Sequence, residues 1–295
     1  MTRVAVLKGG ISAEREISLV SGAAIARGLA AKGFDVIEID VTRPDFEWPG
    51  GVDLAFIALH GTYGEDGQVQ AYLKQMGVRF TGADESASRL AFDKILSKQC
   101  FEKNGINSAA YQVLRPGQPR ALSLPVVVKP PRQGSSIGLS KVQCEEEWAG
   151  AIAAAEQFDE EVLVEALITG RELTVGIVGE QVLPVIEIRA PQGNYDYHAK
   201  YTRGATEYIC PAELEPELTR RCQEIAWRAF CALGARGLGR VDLILTDDGE
   251  PFVLELNTIP GFTETSLLPK AARAIGIEFA DLCAMIVRDA LGQND

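Results

Sequence analysis

Apolar and polar residues alternate most clearly in two short runs near the end of the chain, 240–245 and 251–257. A Thr-Asp-Asp-Gly-Glu segment separates the two runs. Alternation on both sides of a glycine-containing turn is typical of a β-hairpin. Since alternate residues of a strand share a face, we expect the buried face to consist of Val241, Leu243, Leu245, Phe252, Leu254 and Leu256.

The length of the turn decides which residues of this hairpin face each other. An even loop places Asp242 opposite Glu255 and Arg240 opposite Asn257, whereas a three-residue loop places Asp242 and Glu255 on opposite faces. Opposed carboxylates repel by on the order of 4 kcal/mol at about 4 Å and an effective dielectric near 20. A hard divalent cation would offset this repulsion, so we predict a metal site that includes Asn257. The alternative is that water screens both carboxylates on an exposed face of the sheet.

Strand-like and helix-like segments alternate through residues 1–87. This order indicates a mostly parallel sheet, and therefore an α/β first domain. We predict strands at 4–7, 36–40 and 54–59, and helices at 14–32 and 67–76.

A mixture of strands and helices continues through residues 88–168 and 169–295. In the first stretch we expect helices at 94–104 and 145–158 and strands at 126–129, 139–142 and 162–165. In the second we expect strands at 172–178 and 182–188, helices at 218–233 and 279–291, and the hairpin at 240–257. A polar segment at 190–208 contains four tyrosines. A loop of that length inside a domain is usually functional or disordered, and the tyrosines argue against disorder.

Composition and charge narrow the classes of function. Hydrophobic residues make up 46% of the 295 residues and charged residues 24%, which is ordinary for a soluble globular protein. The net charge of −12 leaves no general basic surface, so we expect no nucleic-acid partner. The N-terminal apolar run is too short for a secretory signal, and no stretch approaches a membrane span. We therefore expect a cytoplasmic protein whose six scattered cysteines are reduced.

A glycine-serine loop follows one of the predicted strands, in the segment Lys-Pro-Pro-Arg-Gln-Gly-Ser-Ser-Ile-Gly at 129–138. Its backbone N–H groups and hydroxyls could hold phosphate oxygens, and Lys129 could neutralise them. The spacing is not that of a Walker motif, in which the lysine follows the glycines. Taken alone, the segment could equally be a flexible hairpin tip. Beside the predicted metal hairpin, a loop over nucleotide phosphates is the better interpretation.

Two further segments end predicted strands at the same edge of the parallel sheet, where ligands usually bind. Glu14 lies in Gly-Gly-Ile-Ser-Ala-Glu-Arg-Glu after the first strand, and a carboxylate there suits an ammonium group. His60 begins His-Gly-Thr-Tyr-Gly-Glu-Asp-Gly after the third strand. A buried, satisfied histidine is the alternative for His60, but the surrounding glycines favour a site.

Taken together and in order, these segments resemble the D-alanine–D-alanine ligases, an ATP-grasp family of peptidoglycan synthesis. The resemblance rests on five motifs: Gly-Gly-x-Ser-Ala-Glu-Arg-Glu, His-Gly-x-x-Gly-Glu-Asp-Gly, Lys-Pro-x-x-x-Gly-Ser-Ser-x-Gly, Tyr-x-x-Lys-Tyr, and Arg-x-Asp with Leu-Glu-x-Asn-Thr-x-Pro-Gly. It covers nearly the whole chain. It implies an α/β (α+β) ATP-grasp fold with an N-terminal Rossmann-like parallel-sheet domain, over 1–87, 88–168 and 169–295. ATP would bind between the second and third domains.

The resemblance also implies the residues that hold ATP and metal. Lys94 and Lys129 would contact the nucleotide phosphates, and Lys200 would lie on the γ-phosphate side. Adenine and ribose would lie against Glu165, Ala166, Leu167, Ile168 and Glu172. The family usually has a basic residue where Ala166 stands, so adenine contact there would rest on the backbone. Two Mg²⁺ ions, for which Mn²⁺ could substitute, would be held by Asp242, Glu255 and Asn257.

The remaining residues are assigned by resemblance to the two D-alanine substrates. Glu14 would hold the first ammonium group, and Ser135 and Tyr201 would join Glu14 in fastening the 190–208 loop over the site. Arg240 and the backbone N–H of Gly261 would stabilise the developing oxyanion. The substrates themselves would also contact His60, Ser266 and Leu267.

The implied activity is the ATP-dependent joining of two D-alanines through an acyl phosphate, by a homodimeric enzyme. Two alternatives stay open at the level of sequence. One is a related ligase that makes D-alanyl-D-lactate or D-alanyl-D-serine, and the other is an ATP-binding regulatory module without catalysis. The co-occurrence of Arg240, Asp242, Glu255 and Asn257 argues against the second.

Overall fold

A three-stranded parallel sheet forms the first part of the fold in the computed structural model, which describes residues 1–190 and 206–292. Its strands are β1 (Arg3–Gly9), β2 (Asp35–Val41) and β3 (Leu54–Ile57), in the order β2-β1-β3. Helix α1 (Arg15–Ala31) joins β1 to β2, and α2 (Gln68–Gln75) follows β3. The continuous apolar run in β1 is buried on both faces, as is usual for a central parallel strand. The predicted βαβ unit is confirmed.

A four-stranded antiparallel sheet forms the centre of the chain. Helices α3 (Glu85–Phe92) and α4 (Lys94–Lys103) precede it, and α5 (Glu145–Ala155) covers one of its faces. Its strands are β4 (Tyr111–Leu114), β5 (Val126–Lys129), β6 (Ser140–Val142) and β7 (Val162–Ala166), in the order β4-β7-β5-β6. Helix α3 and strand β4 were not predicted, since both are short and neither has a long apolar period.

A five-stranded antiparallel sheet forms the last part, in the order β10-β9-β8-β11-β12. Its strands are β8 (Arg171–Val178), β9 (Gln181–Arg189), β10 (Glu207–Ile209), β11 (Leu238–Leu245) and β12 (Pro251–Asn257). Helix α6 (Pro216–Ala232) packs on one face. The chain continues through α7 (Leu267–Arg273), which was not predicted, to α8 (Phe279–Leu291), whose bounds match the prediction.

The last helix returns to the first sheet. Leu282 and Ile286 of α8 share one buried core with Val4, Phe56 and Leu29 of the N-terminal part. The predicted boundaries at 87/88 and 168/169 stay a prediction. The second falls between two sheets, whereas the first falls inside α3. Most of the 190–208 loop, with Lys200 and Tyr201, lies outside the described residues.

The hairpin of β11 and β12 corrects the predicted turn. Thr246 N–H bonds the Glu250 carbonyl, which leaves a loop of odd length at 247–249. Such a loop alone would separate Asp242 from Glu255, but a β-bulge shifts the register between Asp242 and Leu243. Leu243 therefore pairs with Val253, while Asp242 still pairs with Glu255 and Arg240 with Asn257. The predicted pairing is confirmed, although the even loop from which it was derived is wrong.

The bulge also changes which residues of β12 are buried. Val253 and Leu256 face the core at 1% and 3% exposure, whereas Phe252 and Leu254 are half-buried on the other side. The prediction that Phe252 and Leu254 belong to the buried face is wrong, because the extra residue reverses the alternation. Leu254 instead lines the same cavity as Glu255.

Candidate active site

A cavity of about 390 Å³ lies between the four-stranded and five-stranded sheets. That volume is within the range of small-molecule sites in proteins. Its lining includes apolar side chains of both sheets, Val127, Ile244 and Leu254, and of the segment between β5 and β6, Ile137 and Leu139. It is also lined by ten of the predicted site residues: Lys94, Lys129, Ser135, Glu165, Ala166, Leu167, Ile168, Glu172, Asp242 and Glu255.

Lys94 stands at the N-terminus of α4 and reaches across the cavity. Its Nζ lies 3.1 Å from Glu255 Oε2 and donates to the Gln133 carbonyl at 2.9 Å. The side chain thus connects Gln133, at the start of the glycine-serine loop, with the β11–β12 hairpin. A cation there is placed to neutralise phosphate oxygens of a ligand in the cavity.

A buried chain of charges supports Lys129 at the end of β5. Glu165 lies 2.5 Å from Lys129 Nζ through one oxygen and 2.7 Å from Lys98 Nζ through the other. Lys98 also donates to the Ala109 carbonyl at 2.8 Å and is only 2% exposed. Burial would raise the pKa of Glu165, but the two lysines outweigh it and hold that pKa below its ordinary value. Burial lowers the pKa of Lys98, against the opposing effect of Glu165.

These ion pairs limit how Glu165 could meet a nucleotide. Both of its carboxylate oxygens face lysines, so its effect on a ligand would come through the backbone or through Lys129. The backbone N–H of Ala166 bonds the Ala110 carbonyl at 2.8 Å, and that of Leu167 bonds the Pro125 carbonyl at 3.1 Å. The segment predicted to meet adenine is therefore held by backbone bonds to Ala110 and Pro125.

The glycine-serine loop, residues 134–138, adopts a backbone that L residues rarely take. Ser135 and Ser136 have φ of 52° and 59°, and Gly138 has φ of 71°. Such conformations persist only when surrounding contacts hold them, and they concentrate at functional sites. The Ser135 hydroxyl donates to a carboxylate oxygen of Glu14. Since Glu14 lies just before α1, this bond joins the loop to the mouth of the parallel sheet.

The carboxylate of Asp242, on the β11–β12 hairpin, accepts four hydrogen bonds. It accepts from Arg240 Nε at 2.9 Å and Nη2 at 2.8 Å, from Thr174 Oγ1 at 2.6 Å, and from Asn257 Nδ2 at 3.0 Å. Glu255 lies opposite on the next strand. Arg240 and Lys94 thus offset the like charges that a cation was predicted to offset.

The donor set can still be tested for its fit to Mg²⁺. No cluster of three or more His, Cys, Asp or Glu residues that could hold a metal exists within residues 1–190 and 206–292. Two carboxylates and one amide nevertheless fit an ion that takes its other ligands from phosphates and water, as Mg²⁺ commonly does. The residues fit a metal that arrives with a nucleotide rather than one held by protein alone.

His60 is buried in a hydrogen-bonded chain that joins the first and last parts of the molecule. Its Nδ1 lies 3.0 Å from the Ile259 carbonyl and its Nε2 lies 3.1 Å from Ser21 Oγ. The Phe262 N–H in turn donates to Ser21 Oγ at 3.4 Å. Burial would lower the pKa of His60, but the Glu65 and Glu14 carboxylates and the Ile259 carbonyl together outweigh it, and the pKa is raised. His60 is therefore both a satisfied buried side chain and a neighbour of the predicted substrate end.

The residues predicted to bind the second substrate lie around the 259–267 loop. Ser266 Oγ accepts from the Thr263 N–H at 2.9 Å, and a Cβ at Gly261 would lie 3.6 Å from that oxygen. The Leu267 side chain is buried in the core with α8, so only its backbone could meet a substrate.

The structure brings most, but not all, of the predicted residues to the cavity itself. The lining does not include Glu14, His60, Arg240, Asn257, Gly261, Ser266 and Leu267. Of these, Glu14 contacts Ser135 of the lining, and Arg240 and Asn257 contact Asp242. Lys200 and Tyr201 lie outside the described residues. Roles for all these residues stay predictions.

Sequence reasoning missed several residues around the cavity. Lys98 follows Lys94 by one helical turn, and this spacing could have placed both ammonium groups on one face of α4. Glu65 lies inside the His60 motif. Lys141, on the strand after the glycine-serine loop, also lines the cavity, and no sequence signal distinguished it.

Comparisons with known proteins agree with this geometry. A family model described as the D-ala D-ala ligase C-terminus matches residues 99–288, and one described as the D-ala D-ala ligase N-terminus matches residues 45–83. A D-alanine–D-alanine ligase from Methylacidiphilum infernorum is 50% identical over 284 residues, which cover 96% of this chain and 94% of that protein. One from Geotalea uraniireducens is 46% identical and covers 98% of this chain and 95% of its own length.

Solved structures give the same result. The D-alanine–D-alanine ligase from Bacillus anthracis, crystallised with ATP, superposes with a TM-score of 0.86 at 30% identity, covering 99% of this chain and 98% of that one. The VanG D-Ala:D-Ser ligase from Enterococcus faecalis superposes with a TM-score of 0.88 at 30% identity, covering 98% and 99%. The expected ATP-grasp fold is confirmed. This chain belongs to the D-alanine–D-alanine ligase family.

Proposed function

We propose that this protein joins two D-alanines into D-alanyl-D-alanine, at the expense of ATP, for peptidoglycan precursor synthesis. One observation carries the proposal. One cavity is lined both by apolar side chains and by Lys94, Lys129 and the opposed carboxylates Asp242 and Glu255. Relatives 50% and 46% identical to the chain are named D-alanine–D-alanine ligase.

The apolar part of the cavity fits the adenine ring, and the charged part fits the phosphates. Lys94 and Lys129 would neutralise the phosphate oxygens, while the backbone of the 134–138 loop would donate to them. The set Asp242, Glu255 and Asn257 would hold Mg²⁺, or Mn²⁺, in two positions. The metal would supply charge neutralisation to the phosphates during transfer.

The proposed reaction has two transfer steps. The carboxylate of the first D-alanine attacks the γ-phosphorus, the bond to the β-phosphate oxygen breaks, and ADP leaves behind an acyl phosphate. The second D-alanine loses one ammonium proton to solvent and its amine attacks the acyl carbon. Phosphate then departs with the bonding electron pair, and the nitrogen gives up a second proton to solvent as the amide forms. In these steps the protein positions groups and neutralises charge rather than forming covalent bonds.

The chain's own residues have separate tasks in this scheme. Glu14, bonded by Ser135, would hold the ammonium group of the first D-alanine, and His60 would help to orient the substrates. Arg240 and the backbone N–H of Gly261 would stabilise the oxyanion that develops at the acyl carbon. Ser266, Leu267 and Lys200 would meet the second substrate and the γ-phosphate side, with Tyr201 helping to hold the 190–208 loop over them.

Phosphate release in the presence of ATP and Mg²⁺ tests the proposal. We expect release to rise on addition of D-alanine but not L-alanine, and to disappear with EDTA. D-serine and D-lactate as second substrates test the D-alanyl-D-serine and D-alanyl-D-lactate alternatives, and we expect less product with each. Slow phosphate release at a rate that does not change with D-alanine would favour a non-catalytic ATP-binding module.

The metal hairpin is tested by one substitution and a matched control. Asp242→Asn removes a proposed metal ligand, and we expect D-alanine-dependent phosphate release to fall by at least about 100-fold. Asp248→Asn makes the same change in the exposed turn of the same hairpin, and we expect no loss. Equal activities of the two variants would contradict the metal assignment.

The assembly and compartment are also proposals. We propose a homodimer in the cytoplasm, with D-alanine and ATP as small-molecule partners and with neither nucleic acid nor membrane. Within residues 1–190 and 206–292, no helix has the length and apolar character needed to cross a membrane. Light scattering on the purified protein tests the dimer, and the monomer mass alone would contradict it.

A further inference from the structure

Residues 131–133, which form the root of the glycine-serine loop, bond to Asp93 and Lys94 at the start of α4. Pro131 accepts through its carbonyl from the Lys94 backbone N–H at 3.1 Å. Gln133 accepts through its carbonyl from Lys94 Nζ at 2.9 Å. Between them, Arg132 Nε donates to Asp93 Oδ2 at 2.8 Å. Three consecutive loop residues thus hold two consecutive residues of the helix start.

Arg132 is the charged centre of this connection. Its Nη1 contacts Asp159 at 2.8 and 2.9 Å, and its Nη2 contacts Glu161 at 2.7 Å, so one guanidinium binds three carboxylates. The hydrogen bond from Arg132 holds the pKa of Glu161 below its ordinary value. The planar guanidinium group donates hydrogen bonds in three directions, and a lysine ammonium cannot reproduce that geometry.

Asp93 connects Arg132 to the start of α4, where Lys94 reaches the cavity. Its Oδ1 caps α4 by accepting from the N–H groups of Ile95 and Leu96 at 3.0 and 3.2 Å. Its Oδ2 takes the bond from Arg132. The next residue, Lys94, points its ammonium into the cavity. Arg132 itself does not line the cavity, so any effect on a ligand must pass through the loop and Lys94.

We propose that Arg132 is a positioning residue for nucleotide binding, which fixes the root of the 134–138 loop and Lys94 in one arrangement before ATP arrives. The inference rests on the proposed function, since it assigns ATP to the cavity. Without Arg132, the carboxylates of Asp93, Asp159 and Glu161 would repel one another, and only the Pro131 and Gln133 carbonyls would still hold the loop root to Lys94.

The test compares Arg132→Met with Arg115→Met in the full chain. Arg115 also contacts Glu161, at 3.3 Å, but does not contact residues 131–133. Arg115→Met therefore removes one positive charge beside Glu161, as Arg132→Met does, without changing the loop root. For Arg132→Met we expect the KM for ATP to rise by about tenfold, which is about 1.4 kcal/mol. We expect kcat and the KM for D-alanine to change by less than about threefold, and Arg132→Lys to restore only part of the loss.

A double variant separates positioning from a general loss of stability. Because Arg132 acts through Lys94, Arg132→Met should add less than about threefold to the KM for ATP in a Lys94→Met background. The inference would be overturned if the effects of Arg132→Met and Lys94→Met on the KM for ATP multiplied in the double variant. It would also be overturned if Arg132→Met had a wild-type KM for ATP, or if Arg115→Met raised that KM equally. If Arg132→Met does not fold, Arg132→Lys decides, and a wild-type KM for ATP in that variant would also overturn it. Wild-type protein without D-alanine-dependent phosphate release would instead contradict the proposed function.

Discussion

At the scale of single residues, the buried ammonium of Lys98 governs the charge balance beside the cavity. It shares the Glu165 carboxylate with Lys129, and the two lysines together hold Glu165 ionised away from water. Removing one cation leaves a buried carboxylate with a single partner, and breaking a buried pair in this way costs far more than losing a surface pair. Lys98 therefore acts on the site without touching the cavity.

We expect Lys98→Met to lower the free energy of unfolding by about 3–5 kcal/mol. Lys103→Met makes the same change on the exposed face of the same helix, and we expect it to be nearly neutral. Urea denaturation followed by circular dichroism measures both. Equal midpoints for the two variants would show that the Lys98–Glu165 pair does not stabilise the fold.

Among the groups that raise the pKa of His60, which include Glu14 and the Ile259 carbonyl, the Glu65 carboxylate has the largest effect. Since Glu65 raises the pKa of His60 against the effect of burial, the imidazole should titrate above the ordinary value of 6.5. In Glu65→Gln we expect that pKa to fall, because burial then acts with less opposition. An NMR pH titration of the His60 ring, assigned by its loss in His60→Gln, measures the shift. Asp66→Asn serves as the control, and an equal titration in both variants would contradict the role of Glu65.

Sequence identified the site residues that stand in contiguous motifs. Lys129, Ser135 and Glu255 were found because glycines or alternating strand residues surround them, and each lines the cavity. Lys98 and Ser21 were missed because their partners, Glu165 and His60, lie far along the chain. The one-turn spacing from Lys94 could have placed Lys98 on the same face of α4, but the contacts of Lys98 with Glu165 and of Ser21 with His60 are visible only in the fold.

At the scale of elements, the turn of the β11–β12 hairpin depends on a glycine. Gly249 has φ of +81°, and a Cβ there would lie 3.1 Å from a methyl carbon of Leu218. By contrast, Gly150 lies in the middle of α5 with nothing within 4 Å of an added Cβ. Glycine-to-alanine substitutions at these two positions should therefore change the free energy of unfolding in opposite directions.

We expect Gly249→Ala to lower the free energy of unfolding by about 1–2 kcal/mol, because alanine resists the left-handed backbone. Gly150→Ala should raise it by about 0.5–1 kcal/mol, because alanine favours the helix. Chemical denaturation gives both values. A stabilising Gly249→Ala would contradict the observed turn.

The same hairpin shows what periodicity can and cannot predict. The predicted bounds of α1 and α8 match the structure to within one residue. Alternation in β11 and β12 predicted the hairpin but could not count the residues of its turn or detect the bulge at Leu254. The turn has an odd rather than an even number of residues, and the bulge adds one residue to β12. The two one-residue shifts cancel, so Asp242 and Glu255 still face each other.

At the scale of the whole molecule, the site is assembled from parts that are distant in sequence. Ser135 bonds Glu14, which joins the central loop to the first sheet. His60 bonds the Ile259 carbonyl, which joins the first sheet to the loop after the metal hairpin. Helix α8 completes the core of the first part. The predicted order of three units was sufficient to propose such a site, but these cross-connections required the structure.

The most direct measurement follows the oxygen atoms of the proposed reaction. D-Alanine labelled with ¹⁸O in both carboxylate oxygens is incubated with the protein, ATP and Mg²⁺, and both products are analysed by mass spectrometry. We predict a D-alanyl-D-alanine dipeptide with three labelled oxygens and inorganic phosphate with one, because the first carboxylate gives one oxygen to the γ-phosphorus. L-Alanine serves as the control. Unlabelled phosphate, or labelled D-alanine that forms no dipeptide, would contradict the acyl-phosphate ligase.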